Sequence, residues 1–90
     1  MRRLHLVIHG RVQGVGFRYF AASSARALAL SGWVRNLPDG SVELCAEGEA
    51  AELERLRSVV ARGPAHSHIT HIEEDWSDGS GTLAGFEIRR

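Results

Sequence analysis

The order of the predicted elements limits what this 90-residue chain can fold into more than any other feature. Alternating apolar and polar residues predict a first strand over residues 4–9, with Leu4, Leu6 and Ile8 on one face. The same kind of pattern predicts, in order, a helix over 17–30, strands over 33–37 and 41–46, a helix from Gly48 to Gly63, and strands over 68–76 and 86–89.

This β-α-β-β-α-β order with an added terminal strand predicts an α+β, ferredoxin-like sandwich. We expect one antiparallel sheet with both helices on one face. Ninety residues hold only one core, so residues 1–90 are expected to form a single domain, with any active site in a loop at the edge of that core. Because this fold hosts many unrelated functions, the function has to be argued from particular residues.

Composition excludes several classes of site. The single cysteine, Cys45, rules out an internal disulfide and a multi-cysteine zinc site. The chain has no lysine, which excludes a lysine-dependent triphosphate loop and Schiff-base chemistry. No apolar run approaches the roughly 18 residues of a membrane span, and the first residues do not resemble a secretory signal. We therefore expect a cytoplasmic protein with no membrane partner.

Charge is distributed unevenly along the chain although the formal net charge is zero. Residues 1–38 contain six arginines and no acid, whereas residues 39–90 contain five arginines and all eleven acids. Some of this charge can cancel when the two halves pack together. An anionic ligand would still prefer the first half of the chain.

The segment from Gly10 to Arg18 enters the first predicted helix without a Ser, Thr, Asp or Asn as N-cap. Up to four backbone N–H groups therefore lack an obvious partner, and Arg18 adds a cation in the first turn, where the helix dipole disfavours it. A bound anion such as a phosphate group would satisfy both features. A plain glycine-rich turn with a solvated arginine remains the alternative from this segment alone.

Three established phosphate chemistries do not fit these residues. A nucleoside-triphosphate loop needs a lysine followed by Ser or Thr. A cysteine-based phosphatase loop needs a thiol six positions before its arginine, and that position is Val12. A metal-dependent phosphatase needs clustered carboxylates, which the first half lacks. Metal-free phosphate binding with direct attack by water is what remains.

Two segments resemble the signatures of a known family. Residues 10–18 resemble the first signature of the acylphosphatases, and residues 32–42, followed by Gly48, resemble the second. The length, the element order, Gly63-Pro64 and the ending over 85–89 also agree, so the resemblance spans nearly the whole chain. It implies hydrolysis of the carboxyl-phosphate bond of acyl phosphates to a carboxylate and inorganic phosphate, without metal or cofactor, by a monomer.

The resemblance also implies roles for particular residues. Arg18 would bind the substrate phosphate, and Asn36, the only asparagine in the chain, would orient the attacking water. The phosphate would rest on the backbone amides of Gln13, Gly14, Val15, Gly16, Phe17 and Arg18.

Two other functions remain open from the sequence: a non-catalytic anion-binding regulatory domain and an RNA-binding module of the same fold. Only six aromatic residues are present, and no strand shows the aromatic platform with which such sheets bind RNA, so we expect no nucleic-acid partner. A catalytic and a purely binding domain would share Arg18. Asn36 is the residue that separates them.

The remaining candidates have simpler interpretations. In a strand His66 and His68 share a face that His71 does not, so these histidines are not expected to form a zinc site. His5 and His9 are expected on the sheet surface, Cys45 as a small packed residue, and Ser80 in a flexible connection over residues 77–81. Trp33 and Trp76 are expected to fill or border the core.

Overall fold

The computed structural model describes all 90 residues, which form a five-stranded sheet and two helices. The elements are β1 (Arg2–Arg11), α1 (Phe17–Ala27), β2 (Ser31–Asn36), β3 (Val42–Gly48), α2 (Ala50–Arg62), β4 (His68–Asp78) and β5 (Phe86–Arg89). Their order across the sheet is β4-β1-β3-β2-β5. Neither helix could span a membrane, since the longer of the two has 13 residues.

One apolar cluster joins the sheet to both helices. Leu4, Leu6 and Ile8 point inward from β1, as the alternation predicts, and each is fully buried. The helices contribute buried residues to the same cluster, which includes Phe17, Ala21, Ala25, Leu53, Leu56 and Val60. Because burying such side chains stabilises a fold by roughly 1.5–3 kcal/mol each, this cluster holds both helices on the same face of the sheet.

The ferredoxin-like prediction is confirmed, with one correction to the sheet. The pairs β1·β3, β1·β4 and β2·β3 are antiparallel, as expected. The terminal strand β5 instead pairs with β2 in parallel, from Gly32 opposite Phe86 to Arg35 opposite Arg89. The sheet is therefore mixed, because the chain returns across the molecule after β4 and adds β5 at the far edge.

Helix α1 ends three residues earlier than its composition predicts. Ala29 takes a left-handed conformation with φ of 57°, and its amide bonds to the Arg26 carbonyl. The Leu30 amide bonds to the Ala25 carbonyl, which completes a Schellman motif. Glycine is the usual residue at this position, so an alanine there gives no stop signal in the sequence.

The predicted flexible connection over residues 77–81 is wrong. Strand β4 continues to Asp78, and the next residues bind the carboxylate of Glu47, which is fully buried on β3. The amides of Ser80 and Gly81 donate to this carboxylate at 3.0 and 3.1 Å, and Arg3 contacts it at 2.6 Å. The hydrogen bond from the Ser80 amide, supported by Arg3 and Gly81, lowers the pKa of Glu47 to about 2 although burial opposes this.

The two tryptophans lie in different environments. Trp76 packs against the core cluster, as predicted. The prediction is wrong for Trp33, because its neighbour Val34 takes the inward position on β2 and the indole lies on the open face. The guanidinium carbons of Arg35 and Arg89 lie 5.3 and 5.0 Å from its ring centroid.

Cys45 is buried as predicted, and burial raises the pKa of its thiol, which disfavours a nucleophilic role.

Replacing Glu47 by Gln is expected to remove stability that depends on pH. Its pKa is about 2 in the folded protein, below the ordinary 4.5, so ionised Glu47 stabilises the fold above pH 4.5. This contribution, on the order of 3 kcal/mol, is lost as the pH falls toward 2. In urea unfolding, the difference between wild type and Glu47→Gln should be greatest near neutral pH and fall by about half or more by pH 3.

Glu54→Gln is the matched control, because Glu54 is exposed on α2. It should follow the wild type at each pH. A Glu47→Gln difference that stays constant between pH 7 and pH 3 would contradict the assignment.

Candidate active site

The loop between β1 and α1 depends on two glycines for its shape. Gly14 and Gly16 have φ of 75° and 77°, in the left-handed region that non-glycine residues rarely adopt. A Cβ at either position would meet nothing within 4 Å, so the requirement comes from the backbone conformation and not from crowding. Gly16 is the N-cap of α1 and, having no side chain, supplies no capping hydrogen bond.

The backbone amides of this loop have no partner inside the protein. From Gln13 to Tyr19, none donates a hydrogen bond to a backbone or side-chain acceptor; the first that does is Phe20, to the Gly16 carbonyl at 3.0 Å. The first turn of α1 also contains no acidic residue. The start of the helix therefore keeps its positive dipole end and its free donors, which together favour an anion.

Arg18 adds a full positive charge to this region. Its Nη1 donates to the Arg89 carbonyl at 2.9 Å, and no carboxylate lies within ion-pair distance. Three of the other five arginines of the first half form ion pairs: Arg2 with Asp78, Arg3 with Glu47 and Arg35 with Glu43. Packing thus cancels part of the charge asymmetry but leaves the charge of Arg18 available.

Asn36 lies at the end of β2 and faces the same cavity as Arg18. This cavity has a volume of about 160 Å³ and is lined by Val12, Gly14, Gly16, Phe17, Arg18, Tyr19, Asn36 and Ile88. No carboxylate, imidazole or thiol is among the lining groups. A larger groove of about 670 Å³ between α1 and α2 contains none of the predicted site residues.

The structure separates the six residues whose amides are predicted to hold the phosphate into two groups. Gly14, Gly16, Phe17 and Arg18 line the cavity with Asn36, whereas Gln13 and Val15 do not. Val15 packs against the core instead. Sequence reasoning missed three lining residues: Val12, Tyr19 and Ile88. Ile88 comes from β5, and no local pattern could show that this strand would lie beside β2.

The Gln13 side chain connects the two loops of the site. Its Nε2 donates to the Leu37 carbonyl at 2.8 Å and to the Ser41 carbonyl at 2.9 Å, on either side of the turn that follows Asn36. Within that turn, the Ser41 hydroxyl and amide donate to Asp39, which lowers the pKa of the Asp39 carboxyl. Asn36 is thereby held at a fixed distance from the β1–α1 loop.

Comparison with known proteins extends the resemblance to the acylphosphatases over almost the whole chain. The family model for acylphosphatase matches residues 4–88. An acylphosphatase of Salinibacter ruber is 47% identical over 89 residues, covering 99% of this chain and 94% of that protein. One from Thermococcus kodakarensis is 46% identical over 86 residues, with 96% and 93% covered. The crystal structure of acylphosphatase from Bacillus subtilis superposes with a TM-score of 0.96 at 38% identity, covering 100% of both chains.

Likeness of this extent places the chain among the hydrolases built on a ferredoxin-like sandwich. The chain belongs to the acylphosphatase family, and its activity is that of an acylphosphatase. The resemblance of its two signature segments is thus confirmed. The comparisons do not favour an anion-binding or RNA-binding domain without turnover.

Gln13→Ala is expected to lower the free energy of unfolding by about 1–3 kcal/mol, because two carbonyls lose their shared donor. Gln13→Glu is the matched variant: it has nearly the same size but no amide donor, and it places a carboxylate against two carbonyl oxygens. It should be at least as unstable as Gln13→Ala in urea unfolding at neutral pH. Wild-type stability in both variants would show that the side chain does not connect the loops.

Proposed function

We propose that the cavity between the β1–α1 loop and the end of β2 is where the chain cleaves the carboxyl-phosphate bond of small acyl phosphates. The observation that carries this is the position of two side chains from separate elements. Arg18 of α1 and Asn36 of β2 line one small cavity beside amides that have no partner in the protein. The site thus combines donors for an anion with a polar group that can hold water.

Phosphate binding follows from the charges and donors around the loop. The amides between Gln13 and Arg18 supply uncharged donors at the positive end of the α1 dipole. Arg18 supplies a planar guanidinium whose charge no carboxylate neutralises. Hydrogen bonds to an ionised group are roughly twice as strong as neutral ones, so Arg18 contributes much of the affinity. The glycines at 14 and 16 let the backbone adopt the required left-handed turns.

Asn36 acts as a positioning group for the attacking water. Its carboxamide does not take up a proton near neutral pH, but it can hold a water molecule in line with the scissile bond by hydrogen bonding. Water adds to phosphorus, the phosphorus–oxygen bond to the acyl group breaks, and its electron pair leaves with the carboxylate. The proton from water passes to an oxygen of the substrate, because the cavity lining has no carboxylate or imidazole to accept it.

The reaction suits a site with this composition. Phosphoryl transfer relies mostly on positioning and charge stabilisation, and a carboxylate leaves without help from a strong acid. The cavity lining also has no carboxylate, imidazole or thiol with which to ligate a divalent ion. We infer that Arg18 and the loop amides perform the charge stabilisation that a metal performs elsewhere.

The proposed unit is residues 1–90 acting as one domain. Both loops of the site are carried by one sheet and one core, so a monomer contains the complete site. A reducing cytoplasm fits the single buried Cys45, which has no disulfide partner.

Arg18 and Asn36 should affect different kinetic quantities. Arg18→Gln removes a charged donor, so inhibition by inorganic phosphate should weaken about tenfold to a hundredfold. Asn36→Ala should leave phosphate inhibition near wild type and lower kcat by about 10²–10³, as for loss of a positioning or oxyanion contact. Steady-state kinetics with phosphate as competitive inhibitor measure both.

Arg11→Gln is the matched control for charge, because Arg11 is an exposed arginine of the same segment that does not line the cavity. It should bind phosphate like the wild type. Full activity in Asn36→Ala would overturn the water-positioning role of Asn36. Equal losses of phosphate binding in Arg11→Gln and Arg18→Gln would overturn the phosphate-binding role of Arg18.

The substrate class is tested by assaying a small acyl phosphate beside an ordinary phosphate monoester, with and without a strong chelator. We expect turnover of the acyl phosphate only, because the site offers no acid for a poorer leaving group. The chelator should leave the rate unchanged. Turnover of the monoester alone, or clear loss of acyl phosphate hydrolysis with chelator, would contradict the mechanism.

A further inference from the structure

A group of potential metal ligands lies outside the cavity, where β1 pairs with β4. His9 and His71 occupy directly opposed positions on these strands, and their rings stack with centroids 4.2 Å apart and planes 8° from parallel. Glu73 contacts the same pair, with its Oε2 2.6 Å from the Nε2 of His9. One ligand atom from each of the three residues lies within 4.8 Å of the others.

We propose that His9, His71 and Glu73 form a binding site for a divalent transition-metal ion of the zinc class. Two imidazoles and a carboxylate are a ligand set that Zn²⁺ accepts, with water in the remaining position. At bond lengths near 2 Å, ligand atoms around a tetrahedral ion lie about 3.3 Å apart. To bind one ion, the two imidazoles would have to tilt out of their parallel stack so that a lone pair of each ring points at it, while the ligand atoms, now within 4.8 Å of one another, close to that distance.

Within this group of three residues, the imidazole of His71 has no hydrogen-bond partner. His9 bonds to Glu73, but His71 makes no hydrogen bond in the protein and contacts His9 only by stacking. A shared cation gives the nitrogen of His71 a partner and uses the carboxylate already in place.

The backbone fixes the three residues before any ion binds. Continuous antiparallel pairing holds His9 opposite His71 and Val7 opposite Glu73, and the β-bulge begins only after His9, at Gly10. Gly10 permits that bulge, because a Cβ there would lie 2.1 Å from the His68 carbonyl oxygen. Folding therefore already orders the backbone of the three residues, which lowers the entropy loss on binding an ion.

Such an ion would connect an edge strand to the interior of the sheet. Strand β4 is paired only with β1, and the site lies near one end of this pairing. A ligand that binds only the folded protein stabilises it according to its concentration and affinity. None of the three ligands lines the substrate cavity, so the ion would support the sheet and take no part in hydrolysis.

Calorimetric titration of chelator-treated protein with Zn²⁺ tests this site. Wild type should bind one ion saturably, and His71→Asn and Glu73→Gln should each weaken binding by more than about tenfold, since even losing a group behind a ligand costs 10–100-fold. The rise in Tm with Zn²⁺ should disappear in both variants. Circular dichroism and acyl phosphate hydrolysis without zinc should remain at wild-type levels, which shows that the variants are folded.

His66→Asn is the matched control, because His66 lies outside the group and its φ of 74° suits asparagine. It should bind zinc like the wild type, and Zn²⁺ should shift the ring resonances of His9 and His71 but not of His66. Absence of saturable binding in the wild type, or wild-type affinity in both His71→Asn and Glu73→Gln, would overturn the proposal. Neither result would bear on Arg18 or Asn36, so the proposed hydrolytic mechanism is tested separately.

Discussion

Backbone pairing of β1 on both of its sides is the constraint on which the rest of the molecule depends. This strand hydrogen-bonds β3 along one edge and β4 along the other, and its inward side chains lie at the centre of the core. It then passes directly into the loop whose amides have no protein partner. The paired strand β1 and the packed helix α1 hold the two ends of this loop.

The arrangement also explains why buried polar groups lie where they do. Glu47 sits on β3 beside the start of β1, and its carboxylate binds Arg3 and the chain just beyond β4. Gln13 performs a similar task at the other end of β1, where its amide joins the β1–α1 loop to the β2–β3 turn. Glu47 accepts hydrogen bonds from the amides of Ser80 and Gly81, whereas Gln13 adds a second donor to two carbonyls that already accept backbone amides, and each side chain joins segments distant in sequence.

Local patterns predicted what local physics determines. Alternation predicts the strands, apolar spacing predicts the helices, and the missing N-cap of α1 points to the loop that we propose binds an anion. Errors arose where the deciding partner is remote or the local signal is absent: the parallel pairing of β5, the Glu47 contacts and the Schellman end at Ala29. For the proposed site, the loop pattern points to Arg18 and the family resemblance to Asn36, whereas the Gln13 contacts and the position of Ile88 depend on how the strands are arranged in the fold. Likewise, His9 and His71 lie opposite each other only because of the register in which β1 pairs with β4.

The carbonyl of Arg89 that holds Arg18 has a consequence for competition at the site. A carboxylate in that position would compete with the phosphate that we propose Arg18 binds, and the strength of its ion pair would vary with pH and ionic strength. A peptide oxygen cannot titrate, and it occupies only one of the five N–H groups of the guanidinium. Arg18 is thus held in place by an uncharged acceptor, and its remaining donors stay free for the phosphate that we propose it binds.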